Sequence, residues 1–291
     1  LITQAAKLDT RGERIGYYRE FFDYPSKGNY GQGSELPAGK VKIEFKNVCY
    51  RYDGADKDTI KDLNLTIEAG ESIALVGRNG AGKSTFVKLL CGFYHPTKGE
   101  IIVDGKTIGA YNLDAYYSLI SAVFQEVRAV AFTVFEFVAS ADLYRENARE
   151  DVVRALKQAD IWEKIEGLPL GLDTHLMKGV HEDGVDFSGG EMQKLLLARA
   201  VYKDGSILVL DEPTAALDPI AENDLYLKYR DLTAGKTSVY ISHRFASTRF
   251  CDRIILLDEG EIKETGTHEE LMEQNGMYAQ MFGVQAKYYE D

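Results

Sequence analysis

ESIALVGRNGAGKSTFVKLLCGFY, residues 71–94, decides how the rest of the chain is read. SIALV is short and nearly all apolar, as a strand buried on both faces should be. Directly behind it GRNGAGKST, residues 77–85, places three glycines, a lysine and two hydroxyls, and STFVKLLCGFY then takes up a helical pattern. The spacing Gly77-x4-Gly82-Lys83-Ser84 is that of a phosphate-binding loop. Glycines let the backbone curl so that successive N–H groups point at one phosphate, and the following helix adds the positive end of its dipole. Lys83 then reaches the β and γ phosphates, and Ser84 is placed to ligate Mg²⁺. A purely structural glycine turn is the competing reading; the position between a buried strand and a helix favours the phosphate cradle. A second GKT, at Gly235, lacks the upstream glycine and is discounted.

The totals narrow the classes of partner. The formal net charge of -12, with no clustered Lys and Arg, opposes broad binding to nucleic acid. Cys49, Cys91 and Cys251 are unpatterned, which argues against a disulfide framework or a zinc site built on cysteines. No apolar run approaches the roughly 18 residues that span a bilayer. The first residue is Leu1 and there is no signal peptide, which suggests a piece of a longer chain.

Outward from the loop, strands and helices alternate, which predicts an α/β fold with a mainly parallel sheet covered on both faces. Residues 1–24 read as an amphipathic helix, with Leu8, Ile15, Tyr18 and Phe22 near helical spacing. PSKGNYGQGSELPAGK, residues 25–40, is a linker by composition, so the folded domain is expected from about Val41. VKIEFKNVCYRY alternates as a half-buried strand, and GEIIVDGK reads as a strand ending in an Asp-Gly turn. Residues 134–166 are rich in helix formers, MQKLLLARAVYK is a helix, and RIILLDEGEIKETG is a hairpin. An amphipathic helix starting near His268 closes the fold.

Two further strands end on chemistry. SILVLDEPT puts Asp211 and Glu212 where a buried strand emerges, beyond the carboxyl end where open α/β sheets bind ligands. Neighbouring strand residues point to opposite sides, so Asp211 suits the Mg²⁺ shell and Glu212 orients or deprotonates an attacking water. TSVYISH ends on His243, and the apolar SLISAVF on Gln125; alone, neither polar residue is decisive.

In their order these elements resemble the nucleotide-binding domain of an ATP-binding cassette transporter. The set is the loop at 77–85, Gln125, FSGGEMQK (187–194), ILVLDEPT (207–214), AALD (215–218) and ISHR (241–244). The resemblance covers about residues 41–285. It implies a P-loop NTPase core, an antiparallel β subdomain and a helical subdomain at about 126–200 that carries FSGGE. It implies that Tyr52 stacks on adenine and that Gly77, Arg78, Asn79, Gly80, Ala81, Gly82, Lys83, Ser84 and Thr85 hold the phosphates of ATP. Ser84, Asp211 and Gln125 would attend Mg²⁺, with Glu212 as general base and His243 as the switch histidine. Ser188, Gly189, Gly190 and Glu191 would cover the ATP of a second cassette, with Asp218 at the dimer interface. That partner is an identical chain or a related one.

RGERIGYYREFFDYP resembles the stretch between the last membrane helix and the cassette in bacterial exporters. The resemblance therefore implies an exporter at the cytoplasmic face of the membrane, with 1–40 leading out of a membrane domain and 286–291 as a tail. Within the family the alternatives are an importer subunit, against which residues 1–40 count, and a non-transport regulatory ATPase, against which the intact Lys83, Asp211, Glu212 and His243 count. A DNA-repair cassette would need a long coiled coil between Gly82 and Ser188, and that interval leaves no room. Three departures stand out: Phe187 and Glu191 where Leu and Gln are usual, HEDG (181–184) in place of Gly-Glu-Arg-Gly, and Phe137 where Asn is common. The charge of Glu191 is expected either to weaken closure over ATP or to point at solvent.

Overall fold

The computed structural model describes residues 28–124, 130–211, 235–242 and 245–289, together with Arg19 and Tyr229. The expected N-terminal helix therefore lies outside the described residues. Strands β1 (Ile43–Tyr50), β2 (Ile60–Ile67), β4 (Lys98–Val103) and β5 (Lys106–Thr107) form an antiparallel sheet in the order β2-β1-β4-β5. β1 alternates through Ile43 and Phe45, but a bulge at Asn47, φ 49°, then shifts the pattern so that Val48 is the next buried residue. β2 escapes a reading by alternation, and the reason is visible. Its pairing with β1 slips between Val48–Leu63 and Tyr50–Ile60, and Asp62 sits at φ 41°, so a bulge breaks the period of two.

The second sheet runs β10-β9-β3-β8-β7-β6. Its strands are β3 (Ser72–Val76), β6 (Ile120–Val123), β7 (Ile207–Asp211), β8 (Thr237–Ile241), β9 (Arg253–Asp258) and β10 (Glu261–Gly266). All neighbours are parallel except the β9–β10 hairpin. The apolar runs of β3, β7, β8 and β9 follow from burial on both faces, whereas the edge strand β10 carries Glu261, Lys263 and Glu264. Ile73 and Leu75 of β3 join the core shared with β1, β2 and helix α1 (Lys83–Leu90). Ala74 and Val76 face the opposite core, closed by α7 (His268–Glu273) and α8 (Met277–Tyr289). The expected closing helix is thus two, broken at Asn275, whose φ is 51°.

Between the sheets' strands lie α2 (Leu113–Ser118), α3 (Val134–Val138), α4 (Ala148–Gln158), α5 (Trp162–Glu166) and α6 (Gly189–Lys203). The helix-rich stretch 134–166 is three short helices. Phe137, Val152, Leu156, Ile165 and Leu195 close a core of their own, into which Leu208 and Leu210 of β7 project.

The glycine-rich stretch before β1 is held on the fold at several points. Ser34 N–H donates to Ala110 O at 2.9 Å, Leu113 N–H to Asn29 O at 2.7 Å, and Asn112 Nδ2 to Gly31 O at 2.8 Å. Gly33 is required there, since a Cβ would lie 2.0 Å from the Asn112 nitrogen. Among the described residues, no helix is long and apolar enough to cross a membrane.

Candidate functional site

β3 delivers the phosphate-loop sequence to the carboxyl end of the parallel sheet, between β9 and β8. The turn out of the strand is possible only without a side chain at 77: Gly77 has φ 152°, and a Cβ would stand 2.0 Å from Leu257 O. Gly82, at φ 109°, caps α1 with no side-chain acceptor, and the first turn holds no acidic residue. The leading N–H groups of that turn thus face the loop without a side-chain cap. Phe86, Val87, Leu89 and Leu90 anchor the helix in the core behind it.

Lys83 is 6% exposed, and its Nζ donates to Gly77 O at 2.8 Å and Arg78 O at 3.1 Å. The ammonium is therefore carried back across the loop it follows. Ser84, next to it, is exposed, while Thr85 is buried. Thr85 Oγ1 and the Tyr52 hydroxyl share a hydrogen bond of 3.0 Å, which brings the expected adenine-stacking ring to the start of α1. Tyr52 also meets Tyr50 and Tyr94 edge-on, with centroids 5.1 and 5.6 Å away, and those two rings stack on each other. Tyr50 and Tyr94 are the part of this corner that sequence reasoning missed. Tyr50 lies two residues before Tyr52, on the same side of an extended chain.

Asp211 ends β7 opposite Ile241 of β8, which in turn pairs with Leu75 of β3. The carboxylate residue and the phosphate-loop strand thus finish at one level of one sheet. Gln125, Glu212, Asp218 and His243 lie outside the described residues.

Ser188, Gly189, Gly190 and Glu191 begin α6, on the core of the helical part. Among the described residues they make no hydrogen bond with 77–85. The expectation for Glu191 needs revising in one respect: its carboxylate turns back into the protein. Ser188 N–H donates to Glu191 Oε2 at 2.9 Å, Glu191 N–H donates to Ser188 Oγ at 3.3 Å, and Lys164 Nζ lies 3.3 Å from Oε1. This reciprocal cap was legible as Ser-x-x-Glu ahead of an apolar run. Lys164 carried no such signal. The Ser188 backbone donor, then the Ser188 hydroxyl and Lys164, hold the Glu191 carboxyl below its usual 4.5 against the opposing effect of burial. Its contribution is full above that ordinary value and is lost as pH falls through the lower folded one. Ser188→Ala should cost about 1 kcal/mol in urea unfolding at neutral pH. Glu191→Gln, which keeps an acceptor for Ser188 N–H, should cost about 0.5 kcal/mol and flatten the acid limb.

The ABC transporter family model matches residues 60–215, more than half of the chain. An ATP-dependent lipid A-core flippase of Alkalilimnicola ehrlichii is 40% identical over 266 residues, 91% of this chain and 44% of that protein. Its counterpart from Pseudomonas aeruginosa is 39% identical over 243 residues, 84% of this chain and 40% of that one. A solved structure of a bacterial Atm1-family ABC exporter with ATP bound superposes with a TM-score of 0.84 at 32% identity. It takes in 94% of this chain and 46% of the exporter chain. The chain spans less than half the length of these relatives. A phosphate-loop strand central to a parallel sheet, a capped FSGGE helix and the extent of these matches lead to one assignment: the chain belongs to the ABC transporter family.

Proposed function

We propose that this chain binds and hydrolyses ATP at the carboxyl end of the six-stranded sheet and thereby drives transmembrane export. The observation that carries the reading is Lys83, an ammonium folded inside a glycine loop that admits no Cβ at Gly77. The groups present fit the ligand. An uncapped helix N-terminus and a buried ammonium suit a polyphosphate, and the exposed Ser84 hydroxyl with Asp211 at the strand end suits a hard cation such as Mg²⁺. When bound, Mg²⁺ neutralises charge on the β and γ phosphate oxygens.

In this reading residues 77–85 hold the phosphates and Tyr52 offers its ring to adenine. Glu212 orients and deprotonates the water, His243 contacts the γ-phosphate, and Gln125 links the site to the membrane part. Ser188, Gly189 and Gly190 cover ATP bound to a second cassette, with Asp218 at that interface. Glu191 fixes the turn from which the three project. Residues 41–285 form the ATPase domain, 1–40 lead from a membrane-spanning domain, and the site works at the cytoplasmic face.

A cleft of about 240 Å³ between the first core and the helical part supports a docking place for the membrane domain. Phe93, Tyr117, Phe124, Arg199 and Lys203 are among the residues that line it. Burial lowers the pKa of both cations. Phe93 itself is 51% exposed.

The test is Glu212→Gln, with solution mass measured in Mg²⁺-ATP, in Mg²⁺-ADP and without nucleotide. Blocked hydrolysis should trap the closed pair, so a dimer is expected with ATP alone. A monomer that binds ATP tightly would overturn pairing between identical chains. Failure to bind ATP would overturn the whole reading.

A further inference from the structure

Just ahead of FSGGE, where HEDG departs from the family pattern, the structure gathers groups that the ATP site does not use. His175 pairs with Thr133 and Leu176 with Val185 as short β-bridges. Between them residues 177–184 fold into a tight loop. His181 N–H reaches back to Met177 O at 3.3 Å, Gly184 N–H to His181 O at 2.9 Å, and Val185 N–H to His175 O at 2.9 Å. Gly184 permits this closure, because a Cβ there would lie 2.9 Å from Met177 O. The loop lays the His181 ring over the His175 ring, with centroids 3.8 Å apart and planes 17° from parallel. Asp183 Oδ1 stands 3.8 Å from His175 Nδ1.

His175 Nδ1 is buried and has no hydrogen-bond partner. A buried polar atom left so is destabilising, unless something else supplies the bond. The side chains themselves indicate what. One ligating atom from each of His175, His181 and Asp183 falls within 4.8 Å of the others. Tetrahedral coordination at the usual metal–nitrogen distance needs donor atoms about 3.3 Å apart with both ring planes directed at the ion, so binding requires the two stacked imidazoles to swing apart. Two imidazoles and a carboxylate suit borderline-soft divalent cations, whereas Mg²⁺ and Ca²⁺ prefer oxygen donors.

We propose that His175, His181 and Asp183 form a binding site for a zinc-class divalent metal ion, with water completing the coordination. The ion ties the 177–184 loop to the strand segment at His175, and so fixes the approach to Ser188 a few residues further on. The site is separate from the Mg²⁺ position at the phosphate loop and rests on different elements.

The experiment uses the full chain, stripped with chelator and kept free of nucleotide. Zn²⁺ is titrated by calorimetry and Co²⁺ by visible absorption. One Zn²⁺ per chain is expected, with a tetrahedral Co²⁺ spectrum, and excess Mg²⁺ should not compete. Removing an outer-shell partner of a metal typically weakens binding about 10–100-fold, so losing a ligand in His181→Ala should weaken it at least about 100-fold. Asp183→Asn, a milder change, should weaken it about 10-fold or more, which keeps the test valid if the alanine variant misfolds. His95→Ala, an exposed histidine elsewhere on the chain, should titrate like the unaltered protein. Absence of stoichiometric binding, an His181→Ala titration indistinguishable from the original, or equal loss in His95→Ala would each overturn the proposal.

Discussion

Lys83→Met should leave a folded protein whose ATP hydrolysis is slower by at least about 100-fold, comparable to deleting a transition-state donor in other enzymes. The lysine stem is buried against the loop, and its ammonium donates to Gly77 O and Arg78 O. Methionine fills the same volume without the charge, so packing is kept. The two carbonyls lose a donor at a cost of about 1 kcal/mol each, small beside the stability of a domain. What disappears is the positive charge inside a concave, low-dielectric loop, where developing charge on a transferring phosphoryl group is stabilised most. Hydrolysis measured beside the unfolding midpoint separates the two effects. A rate within a few-fold of the original, in a chain of unchanged stability, would remove Lys83 from the mechanism.

Gly77→Ala is expected to destabilise the fold by roughly 3–5 kcal/mol, in the range of the severe single substitutions. The added methyl would meet Leu257 O at 2.0 Å. That carbonyl cannot retreat, because Leu257 lies in β9 between β3 and β10 and pairs with Ile262. Gly80→Ala provides the contrast. Its φ of 80° strains any L-residue, yet no atom lies within 4 Å of the new Cβ. A cost of about 1–2 kcal/mol is expected there, the left-handed penalty alone. Urea unfolding of both variants checks the difference, and equal midpoints would mean that the β3–β9 contact yields.

Legibility in the sequence followed the physics of each element. The phosphate loop could be read because its chemistry demands fixed residues at fixed spacing between a strand and a helix. β3, β7 and β8 could be read because burial on two faces favours apolar runs; the buried Ser72, Thr237 and Ser238 at the strand starts find hydrogen-bond partners inside the fold. β2 was harder, since the bulge at Asp62 puts Ile60 out of phase with Leu63, Leu65 and Ile67 and leaves the alternation only three apolar residues long. The stretch 25–40 has the composition of a linker, yet 28–34 bonds to 109–113 through backbone groups, which composition does not report. Glu191 appeared as an intrusive charge because its partner Lys164 lies on another helix. Its bond to Ser188 was within reach of the Ser-x-x-Glu pattern all along. The pairing of His175 with His181 depends on a loop closure that spacing alone does not predict.

The position of β3 has a consequence for how a nascent chain acquires its shape. Both hydrogen-bonding edges of this strand are met by β8 and β9, which belong to the last third of the chain. At 5–20 residues per second, the roughly 160 residues from Val76 to Thr237 take about 10–30 s to leave the ribosome. The antiparallel sheet can pair well before then, since β1, β2, β4 and β5 are neighbours in sequence. For that interval the stretch SIALV stays without its native edges, an apolar segment of the kind that seeks another chain's backbone. The phosphate-loop strand is therefore made early yet among the last to be paired, and a chain stalled before Thr237 leaves both edges of SIALV unmet.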